Sequence, residues 1–213
     1  MTILTETQSG HRFGSAAAVA TVLAVWFAAA LAVVASGALK VPPGQPPIPL
    51  LLTIAVPVSA FLAAYRLSGG FRTFVLTLSL RLVTVLHAWR TVGFSFIVLY
   101  VYGSLPGLFA FPAALGDMAV AVTAPAVAMA LAARPEFAKS GRFALWHILG
   151  LLDFAVAVGI GASLGMDALG APAMAPILEL PLAMIPAFAV PVFILLHLTA
   201  LLQWRHLRQK SAA

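Results

Sequence analysis

Apolar residues fill six stretches long enough to cross a bilayer, and the polar residues collect mostly between them. A spanning helix needs about 20 mostly apolar residues, with a working range of about 17–25. The first stretch runs from Ser15 to Ala38. A signal peptide competes for it, because Arg12 precedes it and Ala35-Ser36-Gly37 is small. The run exceeds the roughly 7–15 residues of a signal's apolar region, so it reads as a span. Val41–Pro49 (VPPGQPPIP) holds five prolines and forms a stiff, non-helical connector. The second span is 50–65, with Pro57 inside it, and it ends at Arg66 and Ser68-Gly69-Gly70.

From Phe71 to Leu105 the apolar run is too long for one ordinary span, and its first half carries Arg72, Arg81 and Arg90. On a helical wheel Thr73, Thr77, Arg81, Thr84 and His87 share one side, while Phe74, Leu78, Leu82, Val85 and Trp89 share the other. That pattern predicts an amphipathic, interfacial or bundle-facing segment over 71–90. The third span is then 91–105. Pro106-Gly107 and Pro112 precede a fourth span at 113–133, the fifth is 142–165, and the sixth is 177–204. The expected fold is therefore all-α: a single domain over residues 1–213, a six-transmembrane-helix bundle with one extra amphipathic segment.

Charge fixes the expected orientation. With both termini cytoplasmic, the inside holds Arg12, Arg66, Arg72, Arg134, Lys139, Arg142, Arg205, Arg208 and Lys210, and the outside only Lys40. This is a strong positive-inside bias. Splitting 71–105 into two spans would move Arg134–Arg142 outside, so a seven-helix count is rejected. Tyr65, Trp89, Trp146 and Trp204 then fall near the cytoplasmic face, as an aromatic belt requires.

Composition agrees. Of the 213 residues 62% are hydrophobic and 8% charged, against about 25% charged in ordinary soluble domains. The net charge of +6 reflects loop bias rather than a nucleic-acid partner. There is no cysteine, which removes disulfides, thiolate nucleophiles and cysteine-held clusters.

Candidate chemistry lies in the few ionisable groups at membrane depth, which are costly to insert and mark functional sites by default. At about 1.5 Å per residue, His147 lies about 8 Å, His197 about 12 Å and Asp153 about 16 Å inside the cytoplasmic boundary. His87 falls where the amphipathic segment meets the third span. Asp117 is near the outer end of the fourth span, where a carboxylate also suits the helix dipole. Glu179 is at the outer start of the sixth. Asp117, Glu179, Asp153 and the three histidines thus form layers along a hypothetical proton or cation path. His147 and Asp153 are six residues apart, about 120° around a helix, so they cannot chelate one ion together. No local metal motif is expected, and any metal or haem site must draw ligands from several helices. The alternative cofactor is a b-type haem between His147 and His197, with Arg81 or Arg90 on its propionates. No nucleophile elbow, Walker loop or zincin motif is present, so an enzyme is disfavoured.

Pro176, Pro181, Pro186 and Pro191 recur every five residues, which predicts a kinked or broken sixth helix packed inside the bundle. Broken spans are one way carriers build mid-membrane sites. Gly161 and Gly165 form a small-xxx-small pair that favours close helix packing. Leu105–Asp117 (LPGLFAFPAALGD) and Ile185–Leu198 (IPAFAVPVFILLHL) resemble segments of small uncharacterised bacterial inner-membrane proteins. That resemblance implies a multi-pass inner-membrane protein and assigns no site residue. The expected functions are a carrier or proton- or cation-coupled permeation unit, an accessory or assembly subunit, or a haem-binding redox protein. The expected partners are the lipid bilayer and a membrane-protein complex or a second copy of the chain.

Overall fold

The computed structural model describes residues 3–42, 44–166 and 174–212. Helix α1 is Ile3–Ala35, α2 Ile48–Leu67, α3 Gly69–Thr77 and α4 Leu80–Val85. A 3-10 segment, Leu86–Phe94, continues α4 into α5, Ser95–Val101. Helix α6 is Gly107–Ala133, α7 Gly141–Met166 and α8 Val190–Ala212. No strand occurs among the described residues. Six helical runs are long and apolar enough to cross a membrane: Ala17–Ala35, Ile48–Leu67, Leu80–Val101, Gly107–Ala133, Gly141–Leu164 and Ile185–Ser211. The all-α bundle of six apolar spans is as the sequence predicts.

The third span differs from expectation. Leu78 and Ser79 are extended, and the Ser79 hydroxyl accepts from the Leu82 N–H to start a new helix. Such a cap satisfies a donor that the first turn leaves free. The segment 71–90 is therefore split. Residues up to Thr77 form a short amphipathic helix, and the span begins at Leu80 rather than Thr91. This shift carries His87 and Arg90 from the boundary into the bundle.

The 3-10 stretch explains which side chains face inward. At three residues per turn, positions three apart eclipse one another. Thr84, His87, Arg90, Gly93 and Phe96 are all buried, whereas Leu82, Val85, Trp89 and Val92 are exposed. The polar row faces the bundle and the apolar row faces out, as suits a helix solvated by hydrocarbon.

The proline-rich approach to the last span is broken as its spacing predicts. A 3-10 turn at Ala175–Leu178 leads through the cis Leu180–Pro181 bond to a π-helical turn at Ile185–Ala189 before α8 begins. Pro186 and Pro191 are buried. Gln203 ties α8 to the end of α3 by donating to the carbonyls of Val75 (2.8 Å) and Leu78 (3.0 Å). Small residues let the central helices approach: Ala110, Ala113, Ala114, Ala121 and Ala124 of α6 are buried. Gly161 lies against Phe109, and the surroundings of Gly165 are outside the described residues. From Ala17 onward α1 is mostly exposed; Trp26 and Phe27 pack edge-on against Phe188, and buried Val34 packs with Ala183 and Ala187.

Candidate functional site: an arginine hub and a histidine cluster

Arg90 stands at the middle of the third span and is 2% exposed. Its Nε donates to Asp117 Oδ1 of α6 at 2.7 Å, and its Nη2 donates to Asp153 Oδ2 of α7. Nη1 donates to the Gly150 carbonyl at 3.4 Å and to His197 Nε2 of α8 at 3.2 Å. The Phe154 ring lies 3.9 Å from the guanidinium carbon, a cation–π contact. One side chain thereby joins four spans. A guanidinium has five N–H donors in a rigid fork, and this one is used on three sides.

Glycines make this density feasible. A Cβ built on Gly93 would overlap the Asp117 carboxylate, one on Gly116 the Asp153 carboxylate, and one on Gly150 the His197 ring. Each glycine thus gives its side-chain volume to a polar group from a neighbouring helix.

His87, His147 and His197 come from three different spans and are each 0% exposed. Their nearest ring nitrogens all lie within 4.8 Å of one another. His147 Nδ1 and His197 Nδ1 are 2.8 Å apart, and the rings of His87 and His197 stack at 3.9 Å. Trp146 packs beside all three rings and donates its indole N–H to Thr123 Oγ1 at 2.9 Å. It forms a wall of the cluster.

The hydrogen bonds define the tautomers. Arginine can only donate, so His197 Nε2 accepts and its Nδ1 carries the proton. That Nδ1–H donates to His147 Nδ1, which leaves the His147 proton on Nε2. Among the described residues, His147 Nε2 and both nitrogens of His87 are buried without a hydrogen-bond partner, as are Thr84 Oγ1 and Ser95 Oγ. Buried polar atoms normally find partners, so the three unpartnered imidazole nitrogens mark the cluster out.

Charge balance is equally uneven. With both carboxylates ionised and the histidines neutral, the hub carries two negative charges and one positive. It is one positive charge short of neutrality in a low-dielectric setting, where an uncompensated charge is costly.

Two cavities reach the hub. One, of about 100 Å³, extends from Pro47, Leu50 and Leu178 at the Lys40 end of the bundle down to Asp117 and Asp153, with mostly apolar walls. A second, of about 180 Å³, reaches Arg90 and Asp117 past Trp89, Gly93 and Phe193.

Of the residues singled out in the sequence, Asp117, Asp153, His87, His147, His197 and Arg90 are brought together. Asp117 is a partner of Arg90, eleven residues into α6, and not a terminal dipole residue. Glu179 is not in the cluster: it is exposed and pairs with Lys40 at 2.8 Å. There the hydrogen bond and charge of Lys40 hold its carboxyl below the usual glutamate range. Arg81, the other arginine considered for haem propionates, is exposed at the start of α4 and is not among the groups that meet at the hub. The direct contact between the Nδ1 atoms of His147 and His197 leaves no slot for a porphyrin between the rings. The three glycines and Phe154 escaped the sequence reading, because only the folded arrangement shows what lies against them.

Fold and site together define a polytopic helical-bundle protein of membrane type with an ionic core. The chain belongs to the family described as a domain of unknown function, DUF8737, whose model matches residues 47–205. The matched region holds every hub and cluster residue and leaves out α1. No curated protein and no solved structure matches the chain.

Proposed function

We propose that this protein is a carrier or permeation unit that exchanges protons or small cations at the Asp117–Arg90–Asp153 hub. The observation that supports the reading most directly is the second carboxylate. One guanidinium pairs with two buried aspartates, and both aspartates line the cavity from the Lys40 end. A purely structural ion pair needs one carboxylate. The extra one gives an arriving cation or proton a place to neutralise charge.

Exchange then follows from competition. A cation or proton on Asp153 weakens its hold on Arg90, whose fork still has Asp117, the Gly150 carbonyl and His197 to hold it in place. Release restores the pair. The π-helical turn at Ile185–Ala189 borders both cavities through Ile185 and is the element suited to move, since π-turns inside helices recur at functional sites. Intramembrane carboxylates commonly mark ion and proton pathways.

The test is flux into proteoliposomes loaded with a pH-sensitive dye, with alkali cations varied outside. Wild-type protein should relax an imposed gradient faster than protein-free vesicles. Asp153→Asn, folded by size-exclusion and circular dichroism, should lose that excess. Undiminished flux in Asp153→Asn would remove Asp153 from the path.

A further inference from the structure

We propose that His87, His147 and His197 form a binding site for one first-row transition-metal ion of the imidazole-preferring kind, such as Zn(II), Co(II) or Cu(I). The inference stands apart from ion exchange at the aspartates, because it uses different side chains and a different observation. Three imidazoles from three spans converge with their nearest nitrogens within 4.8 Å, and all three are 0% exposed.

A packing role alone does not account for the polar atoms. Core histidines in such surroundings ordinarily bond to a carbonyl or a hydroxyl. Here His87 has no partner on either nitrogen, and His147 has none on Nε2. A neutral imidazole has one free lone pair, and that of His87 receives no hydrogen bond although the ring nitrogens of His147 and His197 lie within 4.8 Å of its own. Ligation by neutral imidazole is what such a lone pair offers. Nitrogens bound about 2.0–2.1 Å from one zinc stand roughly 3.4 Å apart in a tetrahedron, so binding would draw the three nitrogens together and turn the His87 ring out of its stack on His197. Three histidines with one position left open is also a known coordination pattern for zinc.

Binding would involve Arg90. The proton between the two Nδ1 atoms occupies the place where an ion bridging His147 and His197 would sit. An ion there displaces that proton. His197, ligating through Nδ1, then carries its own proton on Nε2, facing a guanidinium that can only donate. Arg90 must withdraw its Nη1 from His197 and rest on Gly150 and the two aspartates. These aspartates supply the negative charge that a cation in the histidine cluster requires nearby.

The experiment uses the full chain purified in detergent, stripped with a chelator and dialysed against Co(II) or Zn(II), with Cu(I) under reducing conditions as a third probe. The expected result is one ion per chain for at least one of these metals. Bound Co(II) should show the intense visible bands of a low-coordinate nitrogen site. His87→Ala and His147→Ala should each weaken binding by more than the roughly 10–100-fold that loss of an outer-shell partner costs. His206→Ala, outside the cluster, should leave it unchanged. The wild-type stoichiometry needs no variant to fold, so an ion-free wild-type chain after dialysis against all three metals overturns the proposal. Binding that survives both cluster substitutions undiminished overturns it as well.

Discussion

Arg90 Nε and Asp117 Oδ1 meet at 2.7 Å across the third and fourth spans, with the arginine side chain wholly buried. Because the same guanidinium also holds Asp153, removing the arginine and removing one aspartate are not equivalent changes. Arg90→Gln leaves two carboxylates facing each other in a low-dielectric core. Breaking a buried pair from one side typically costs about 3–5 kcal/mol. Asp117→Asn or Asp153→Asn instead leaves one carboxylate on one guanidinium, a neutral pair. Thermal unfolding in detergent should therefore rank Arg90→Gln far below either asparagine variant.

Glycine positions provide a second prediction. Gly116→Ala and Gly150→Ala place a methyl group where the Asp153 carboxylate and the His197 ring lie. Overpacking of this kind costs about 1–3 kcal/mol. Gly159→Ala on the same helix as Gly150 meets nothing within 4 Å and should be neutral or stabilising by up to about 1 kcal/mol. Denaturation midpoints of the three variants side by side check the contrast.

The tautomers can be read directly. Nitrogen-15 spectra of protein with labelled histidines, stripped of metal, should show His197 protonated at Nδ1 and His147 protonated at Nε2. Arg90→Met removes the donor that fixes this order and should let the His197 tautomers mix. An Nε2–H on His197 in the metal-free wild-type protein would contradict the hydrogen-bond chain described above.

At the surface, Glu179 titrates below an ordinary glutamate because Lys40 donates to it and lies beside it. A depressed folded value means the pair contributes above the unfolded value and is lost as pH falls through the folded one. Both side chains are 58% exposed, so the contribution to stability is small. Carbon-13 titration of the Glu179 carboxyl should show the downward shift, and Lys40→Met should return it toward normal.

Much of this architecture was legible in the sequence because a bilayer asks for simple things. Apolar length marked the spans, and proline spacing marked the break ahead of α8. Asp153 and the histidines stood out because ionisable groups are rare in hydrocarbon. The third span was misplaced because its polar residues were read at the 3.6-residue period. His87, Arg90 and Gly93 recur every three, the period of the 3-10 segment they occupy, and Thr84 of α4 continues the row. The 3.6-residue wheel consequently leaves Arg90 off the polar side, although it is the hub. The roles of Gly93, Gly116 and Gly150 depend on which helix lies opposite, and one chain's local pattern does not encode that legibly.

The most direct test of ion exchange at the hub is electrical. Reconstituted protein on a solid-supported membrane is given a rapid pH or cation jump, and the charge displaced before steady state is integrated. Uptake at the surplus carboxylate should give a saturable displacement in wild-type protein that is absent in folded Asp153→Asn and retained in Glu179→Gln. A displacement of equal size in Asp153→Asn would place the exchanging group elsewhere.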